Sequence, residues 1–423
     1  MKHFLLLLSL LAVLPVMAAD VPEPTYFEAD GIKYQYFDGT NYWIGGYMTW
    51  TGTEMINVPK EGNVCIVAAN PDYTGSELVI PETVKYNGSD VRVVGIEAKA
   101  FEGNQYITSV SIPKTFPQKW EQYKIAGTPS TNKDLAGANM FAGCSNLTKV
   151  IFGDGMNKFY VPGSCAPFKD CPISELVIPE SLTDLTETLV QSGVETIYIP
   201  DWVTNISFKN CSKLKEVPAL LGMTEVPQYC FAYCTSLVNV TLPVNATTVG
   251  RGALMGCSGM ETLVIPDKVE LLGFEVAWNC QSLRKVVIGS GVKEMGVTCF
   301  YDSPAITEIE FKCTAAPKMY NYGDPTRTEE NANFFSNEVF ENAKVTIPAS
   351  SLNSYKARKW FKFDTANVEE LNVSSINGIV AEGEKTVAGY YNLNGSKVDA
   401  EGLPAGVYIE VYTDGTARKR VVK

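Results

Sequence analysis

A repeat of 23 residues is the feature that most constrains the fold of this chain. Four segments in register, which start at Cys234, Cys257, Cys280 and Ser303, read CTSLVNVTLP, CSGMETLVIP, CQSLRKVVIG and SPAITEIEFK. Each segment has apolar residues at its fourth, seventh and ninth positions, and the last two are spaced as in a strand with one buried face. We therefore predict a β-rich repeat solenoid with one strand per turn, in which each turn packs against its neighbours.

The same pattern extends well beyond these four segments. The last apolar residue of the predicted strand recurs at Ile80, Ile112, Phe152, Ile178, Ile199, Leu242, Ile265, Ile288, Phe311 and Ile347. Proline follows the strand directly in seven turns, at Pro81, Pro113, Pro179, Pro200, Pro243, Pro266 and Pro348. Because proline has no N–H, it ends strand pairing and turns the chain out of the sheet. These observations place the solenoid at residues 71–370.

Two intervals break the period and predict insertions near residues 114–139 and 318–342. The distance from Ile112 to Phe152 is 40 residues, and that from Phe311 to Ile347 is 36 residues. We expect both insertions to loop out of single turns, where repeat proteins often place binding residues. A tolerated surface loop is the alternative. The segment that follows Ile347, PASSLNSYKARKWFKF, predicts a short amphipathic helix that closes the stack.

The two ends of the chain differ in character from the solenoid. Residues 1–19 combine Lys2, an apolar run and a small-residue end, which predicts a signal peptide. A membrane anchor is the alternative, although the run is shorter than the roughly 20 residues that a spanning helix needs. Residues 20–70 alternate aromatic residues with glycine turns and predict an N-terminal β cap of short antiparallel strands. Residues 371–423 predict a small C-terminal β domain, with turns at Asn394–Gly395 and Asp414–Gly415.

An alternative role for the cap involves its surface aromatic residues. These could form a platform for carbohydrate, made of Tyr42, Trp43, Tyr47 and Trp50.

Composition excludes several classes of function. The chain has 47 acidic and 35 basic residues and a net charge of −12, so nucleic acid is not an expected partner. Its one histidine, His3, lies in the predicted signal peptide, which excludes imidazole catalysis and histidine-ligated metal from the mature chain. We expect no enzymatic activity, no cofactor and no metal. A carboxylate-based carbohydrate-active enzyme is the alternative, with Glu308 and Glu310 as the nearest acidic pair. They share the outward face of one predicted strand, so a solvated sheet face explains them too.

One position before each predicted strand holds a small polar residue. It is occupied by Asn104, Cys144, Cys171, Cys211, Cys234, Cys257, Cys280 and Ser303. Eleven cysteines in an exported protein would ordinarily indicate disulfides. A position that accepts cysteine, asparagine or serine instead indicates a buried structural ladder that satisfies backbone groups of the turns. Parallel Cβ directions in stacked turns also disfavour disulfides, so we expect free thiols.

The outward positions of the predicted strands are the candidate binding residues. An apolar row consists of Ile151, Val177, Tyr198, Thr241, Val264 and Val287. A second row beside it consists of Lys149, Glu175, Thr196, Asn239, Thr262 and Lys285. An exposed apolar row invites a partner. The ordinary preference of sheets for β-branched residues is the alternative explanation.

Two resemblances to known families follow from these motifs. Anchor Phe, then Cys, then Leu-x-x-Val-x-Ile-Pro, with the opening VAANPDYTGSELVIPETVKYNGSDVRVVGIEAKAF, resembles the bacterial surface-protein-A class of leucine-rich repeats over residues 26–365. That resemblance implies a leucine-rich repeat solenoid, and surface adhesion in some members. The motifs Tyr391–Gly395 and Gly406–Ile409 and the basic end Lys419–Lys423 resemble the sorting domain of type IX secretion. This second resemblance implies an export address and the secretion machinery as a partner.

From these observations we expect an exported or cell-surface protein with no transmembrane segment in its mature chain. It would act as a non-enzymatic recognition or adhesion module for a host protein, a matrix component or a glycan.

Overall fold

The computed structural model describes the solenoid and parts of both ends. The described residues are 25–37, 64–116, 139–159, 166–320, 326, 328–329, 333–371, 387–392, 397–398, 406–412 and 417–422. The predicted signal peptide at residues 1–19 and the aromatic residues Tyr42, Trp43, Tyr47 and Trp50 lie outside them. Most of the predicted insertion near residues 114–139 does so too.

The strands predicted from the repeat form two parallel sheets, which we call the front sheets. The first contains Glu77–Val79, Ser109–Ile112, Lys149–Phe152 and Glu175–Val177. The second contains Asn239–Thr241, Thr262–Ile265, Lys285–Ile288, Glu308–Phe311, Lys344–Pro348 and Val368–Leu371. Alternate residues point inward, so that Leu263 and Ile265 are buried while Val264 between them is half-buried. Residues that are 23 positions apart in the sequence are therefore direct neighbours on adjacent strands of this sheet.

The turns between residues 184 and 320 also contribute short strands to a second set of parallel sheets, which we call the rear sheets. One pair consists of Asp184–Leu185 and Asn205–Ile206. The longer rear sheet consists of Glu225–Val226, Thr248–Val249, Leu271–Leu272, Glu294–Gly296 and Lys318–Tyr320. Buried rear residues such as Val249 and Leu272 share one hydrophobic core with Leu263 of the front sheet. This architecture confirms the predicted β-rich repeat solenoid.

The front face is interrupted in its middle, which corrects the prediction of continuous rows. Thr196 and Tyr198 do not belong to a strand, although the backbone N–H of Lys215 still donates to Glu195 O at 2.9 Å. In the next turn Pro218 takes the outward place that corresponds to Tyr198. Because proline has no N–H to donate, regular pairing between these two turns is lost. The candidate residues therefore fall into two groups rather than one.

The N-terminal sheet extends further than the predicted cap. Its strands are Thr25–Ala29, Ile32–Phe37, Val64–Val67, Ser89–Ile96 and Thr83–Tyr86, in that spatial order. The sheet continues past the predicted boundary at residue 70, because Val64–Val67 is buried and pairs in parallel with Ser89–Ile96. The first front strand lies in sequence between these two partners. The cap and the first repeat are therefore interleaved along the chain.

The predicted insertion near residues 318–342 is only partly looped out. Its beginning, Lys318–Tyr320, is the last strand of the longer rear sheet. Near its end, Phe334 and Phe335 are buried, and the Phe335 ring stacks on Phe300 with centroids 5.1 Å apart. A helix, Asn337–Asn342, then leads into the next front strand. Both ends belong to the solenoid, because Lys318–Tyr320 pairs with the preceding rear strand and Phe335 packs on Phe300 of the preceding turn.

The C-terminal end of the solenoid closes on aromatic residues. A helix of five residues, Leu352–Lys356, is shorter than the predicted segment, and a 3-10 turn, Thr365–Asn367, precedes the last front strand. Trp360 is fully buried, and its Nε1 donates to Pro317 O at 3.0 Å. Among the described residues, no helix has the length and apolar character to cross a bilayer.

The chain continues into an antiparallel sheet of its own. In spatial order its strands are Lys397–Val398, Val387–Asn392, Gly406–Tyr412 and Ala417–Val422.

Candidate binding surface

The outward residues of the longer front sheet stack in register from turn to turn. Along one line Asn239, Thr262, Lys285 and Glu308 are direct neighbours. Along the adjacent line the neighbours are Thr241, Val264, Val287 and Glu310. Parallel strands lie about 4.8 Å apart, so side chains at the same repeat position contact each other. The outward residues of these four strands therefore form two parallel lines.

The shorter front sheet presents the matching positions of the N-terminal turns. Lys149 pairs with Glu175 along one line, and Ile151 pairs with Val177 along the other. The second line begins at Val79, which is 61% exposed. Val79 was missed from the sequence, although it holds the outward place in SELVIP as Val177 does. The apolar end of this row is therefore its most accessible part.

Charged residues of the front face are paired with each other across strands. Lys149 Nζ lies 2.8 Å from Glu175 Oε1, and Lys285 Nζ lies 3.3 Å from Glu308 Oε2. Further along, Lys344 forms a similar pair. Such partly exposed pairs contribute about 0–1 kcal/mol each to stability. Their main effect is to neutralise the face, so that it presents polar and apolar groups without a strong field of one sign.

Val287 is not exposed, which corrects its place in the apolar row. It is only 7% exposed, whereas Val264 and Thr241 are half-buried. Val287 lies between Val264 and Glu310 on the neighbouring strands. Its side chain therefore contributes packing rather than contact surface.

Tyr198 lies in the interrupted middle of the solenoid and is half-buried. Burial, with a smaller contribution from Asp201, raises the pKa of its phenol to about 12. Tyr198 thus stays a neutral hydroxyl throughout the physiological range. It extends neither row, because the turn that carries it is not paired as a strand.

The predicted ladder residues make equivalent hydrogen bonds in successive turns. Cys234 Sγ donates to Phe208 O at 3.0 Å, and Cys257 Sγ donates to Phe231 O at 3.1 Å. Donation to a carbonyl of the preceding turn is shared by Cys144, Cys171, Cys211, Cys280 and Ser303. Asn104 bonds differently, accepting from the backbone N–H of Ile107 at 3.0 Å and donating to Tyr73 O. Each side chain therefore links its turn to a backbone carbonyl of the preceding turn.

A further ladder residue, Ser192, was missed from the sequence. It is 3% exposed, and its Oγ lies 3.5 Å from Cys211 Sγ in the next turn. The spacing of 21 residues between Ile178 and Ile199 could have revealed it, because Ser192 precedes Ile199 as Cys171 precedes Ile178. A shortened turn therefore conserves the geometry of the ladder even though its strand is lost.

The described thiols are buried, and those of Cys211, Cys234, Cys257 and Cys280 are unreactive in character. All ten described cysteines are buried, and none of these ten forms a disulfide. Burial raises the pKa of Cys211 and Cys280 to about 12 and that of Cys234 and Cys257 well above the ordinary value. Reactive cysteines need a lowered pKa and exposure. These residues are therefore structural.

The acidic alternative finds no assembled site in the part of the chain that the structure describes. Glu308 and Glu310 lie on one strand, and Glu308 is ion-paired with Lys285. No cluster of three or more His, Cys, Asp or Glu side chains that could hold a metal occurs among the described residues.

Comparison with known proteins places the repeats in a family. A family model described as BspA type Leucine rich repeat region matches in six copies, within residues 77–193, 128–217 and 202–321, which together span more than half of the chain. A comparison with curated proteins found no match.

Several solved structures are similar to this chain. A leucine-rich repeat protein from Bacteroides ovatus is 19% identical, with 65% of this chain and 100% of that chain covered and a TM-score of 0.29. A leucine rich cell surface protein from Faecalibacterium prausnitzii is 15% identical, with 72% and 97% covered and a TM-score of 0.25. The pneumococcal vaccine antigen PcpA is 14% identical, with 82% and 98% covered and a TM-score of 0.32.

Proposed function

The chain belongs to the BspA-type leucine-rich repeat family, and from that premise we propose that it is a non-enzymatic recognition protein of the cell exterior. It binds a host protein, a matrix component or a glycan through the outward face of the longer front sheet. The observation that carries the proposal is the register of that face. Thr241, Val264 and their neighbours repeat at every turn on a rigid parallel sheet.

The character of this face supports a protein or matrix ligand. Half-buried Thr241, Thr262 and Val264 form a patch that is neither strongly charged nor fully apolar. Interfaces of this kind are about as apolar as the rest of a protein surface and contain few uncompensated charges. Lys285, which borders the patch, already has Glu308 as its partner. A ligand could therefore bind without desolvating an unpaired charge.

The proposal is tested with a matched pair of surface variants of the full chain. In the front variant, Thr241→Lys is combined with Val264→Lys, which are neighbours on adjacent strands. In the rear variant, Thr248→Lys is combined with Leu271→Lys, which are half-buried neighbours on the longer rear sheet. Both variants add two positive charges at outward positions of a parallel sheet. They differ only in the surface that is changed.

We expect the front variant to lose binding in a pull-down against host surface and matrix proteins, and the rear variant to bind as the unchanged chain does. Thermal melting of both variants checks that the fold is retained. Loss of binding in the rear variant alone, or unchanged binding in both, would reject the front face as the site. Turnover of any substrate in a parallel screen with oligosaccharides would instead support the carboxylate enzyme.

Export is the second part of the proposal. We infer that residues 1–19 are a signal peptide and that residues 371–423 are a sorting domain of the type IX system. The strand Gly406–Tyr412, which carries the Gly-x-Tyr-Ile motif, lies between Val387–Asn392 and Ala417–Val422 in one antiparallel sheet, as a folded address would require. Deletion of residues 372–423 should leave the chain inside the cell envelope, which fractionation would measure. Unchanged export of the shortened chain would reject the sorting domain.

A further inference from the structure

We propose that a surface distinct from the front face binds a neutral saccharide chain. This surface, which we call the aromatic strip, consists of Tyr233, Met255, Trp278 and Tyr301. Its residues lie in four successive turns, one or two positions before the ladder residue of each turn. The proposal does not depend on the front face being a binding site.

Backbone hydrogen bonds align the strip from turn to turn. The N–H of Tyr233 donates to Met255 O at 2.7 Å, and the N–H of Gly256 donates to Trp278 O at 2.9 Å. In the next step Asn279 N–H donates to Tyr301 O at 3.1 Å. Tyr233 is 42% exposed and Tyr301 is 39% exposed, whereas Met255 and Trp278 are half-buried. The strip therefore places four large side chains in successive turns, two of them exposed and two half-buried.

The Tyr233 ring packs closely against the next turn at Gly256, which has no side chain. A Cβ at Gly256 would lie 2.5 and 2.6 Å from carbon atoms of that ring. The Tyr233 hydroxyl also lies 3.6 Å from Met255 Sδ. The ring is thus held in place by the protein itself before any ligand arrives, which lowers the entropic cost of binding.

The backbone alone does not require glycine at position 256. Its φ is +70°, in the left-handed region, but the equivalent residues of the neighbouring turns also adopt that region with side chains. Tyr233 has a φ of +62°, Asn279 of +59° and Asp302 of +57°. Because the fold accepts side chains at this position, the bare backbone at Gly256 is explained by the ring that lies over it. The glycine is therefore a feature of the strip.

The chemistry of the strip fits a sugar. The face of an aromatic ring is negative, and the C–H groups on one face of a pyranose are weakly positive, so the two attract when stacked. Polar groups border the rings: Gln281 Nε2 donates to Asn279 Oδ1 at 2.7 Å and to Asp302 O at 2.9 Å. The exposed carboxylate of Asp302 can accept hydrogen bonds from hydroxyl groups. Stacking faces beside acceptors suit the apolar face and hydroxyl edge of a saccharide.

Charge selects a neutral saccharide over an acidic one. The chain has a net charge of −12, which repels sulfated or carboxylated sugars. Arg251, two turns before Tyr301, is already paired with Glu275, with Nε 2.9 Å from Oε2. The strip thus lacks the basic cluster that recognition of acidic sugars requires.

The test uses the full chain, two variants of the strip and a matched tyrosine control. The probes are hexasaccharides of glucose and mannose, titrated by calorimetry, with heparin as the acidic comparison. Tyr233→Ala combined with Tyr301→Ala removes the two most exposed rings. Gly256→Asn keeps every ring but displaces Tyr233, and asparagine is already accepted at the equivalent Asn279. The control is Tyr106→Ala, because Tyr106 is 57% exposed and lies outside the strip.

We expect a neutral hexasaccharide to bind and the double tyrosine variant to weaken that binding by about tenfold. Gly256→Asn should weaken binding in the same direction, whereas Tyr106→Ala should leave it unchanged. The proposal is overturned if no neutral probe binds, if heparin alone binds, or if the double variant binds as tightly as the unchanged chain. It is also overturned if the double variant loses a protein ligand while saccharides bind neither form. The Thr241→Lys, Val264→Lys variant should still bind the saccharide. This measurement distinguishes failure of the strip proposal from failure of the front-face proposal.

Discussion

Replacing Leu263 with alanine should destabilise the solenoid far more than replacing its neighbour Val264. Leu263 is fully buried and pairs with Val240 and Val286 in the adjacent turns, whereas Val264 is half-buried on the outward face. Leu263→Ala removes three carbon atoms, which correspond to about 2.4 kcal/mol at about 0.8 kcal/mol per methylene. Strand pairing on both sides holds the backbone in place, so the cavity remains and adds about 1 to 2 kcal/mol. The total loss in free energy of unfolding is about 3 to 4 kcal/mol.

Val264→Ala serves as the matched control, because it removes two carbon atoms from the same strand. Its cost should be about 0.5 to 1 kcal/mol, since much of the side chain remains in contact with water. Urea denaturation monitored by circular dichroism measures both changes in the free energy of unfolding. Because both substitutions lie in the same strand, the two variants report on unfolding of the same segment. Equal losses for the two variants, or a loss below about 1 kcal/mol for Leu263→Ala, would refute the assignment of inward and outward positions.

Three further outcomes follow from the thiol ladder and the front face. Thiol counting in the unfolded, unreduced chain should give most of the eleven cysteines, and five disulfides would reject the ladder. Folding raises the pKa of Cys211 and Cys280, so their stabilising effect is complete below the thiol pKa of the unfolded chain, about 8.5, and is lost as pH rises towards 12. The urea concentration at the midpoint of unfolding should therefore decrease between about pH 8 and pH 11. Cys280→Ser should reduce this decrease, and Ser303 shows that serine is compatible with the ladder. An equal decrease in the variant and the unchanged chain would contradict this reasoning. Val287→Lys should lower the melting temperature more than Val264→Lys does, and equal melting curves would show that Val287 is not buried.

Much of the solenoid could be predicted from local pattern alone. The spacing of Leu263 and Ile265 fixed which side of each strand is buried, because that property depends only on the period of two. The interchange of Cys280 and Ser303 pointed to a hydrogen-bonding position, and both side chains donate to a carbonyl of the preceding turn. The buried positions and the ladder position can be recognised in the sequence because the same residue types recur there from turn to turn.

The features that could not be predicted depend on which residues meet across turns. Val287 is buried although it holds the same outward position as half-buried Val264, so the period of two alone does not give its exposure. The end of the N-terminal sheet depends on the pairing between Val64–Val67 and Ser89–Ile96. The first front strand lies between these two segments in the sequence, so the pairing is not visible as a local pattern. Likewise, Gly256 resembles any turn glycine until the ring of Tyr233 is seen over it.

The ladder also determines how this protein should respond to mechanical force. Each rung, such as Cys257 Sγ to Phe231 O, joins one turn only to the turn before it. A pulling force on the end of the stack therefore loads first the rung and the front and rear strand pairs that join the last turn to its neighbour. Release of one turn of 23 residues frees about 80 Å of chain, against the roughly 5 Å that it occupied along the axis. We expect single-molecule stretching to show a series of extension steps of about 80 Å each, one for every turn that is released. A protein that adheres as proposed above would therefore lengthen stepwise under load instead of transmitting the full force at a fixed length.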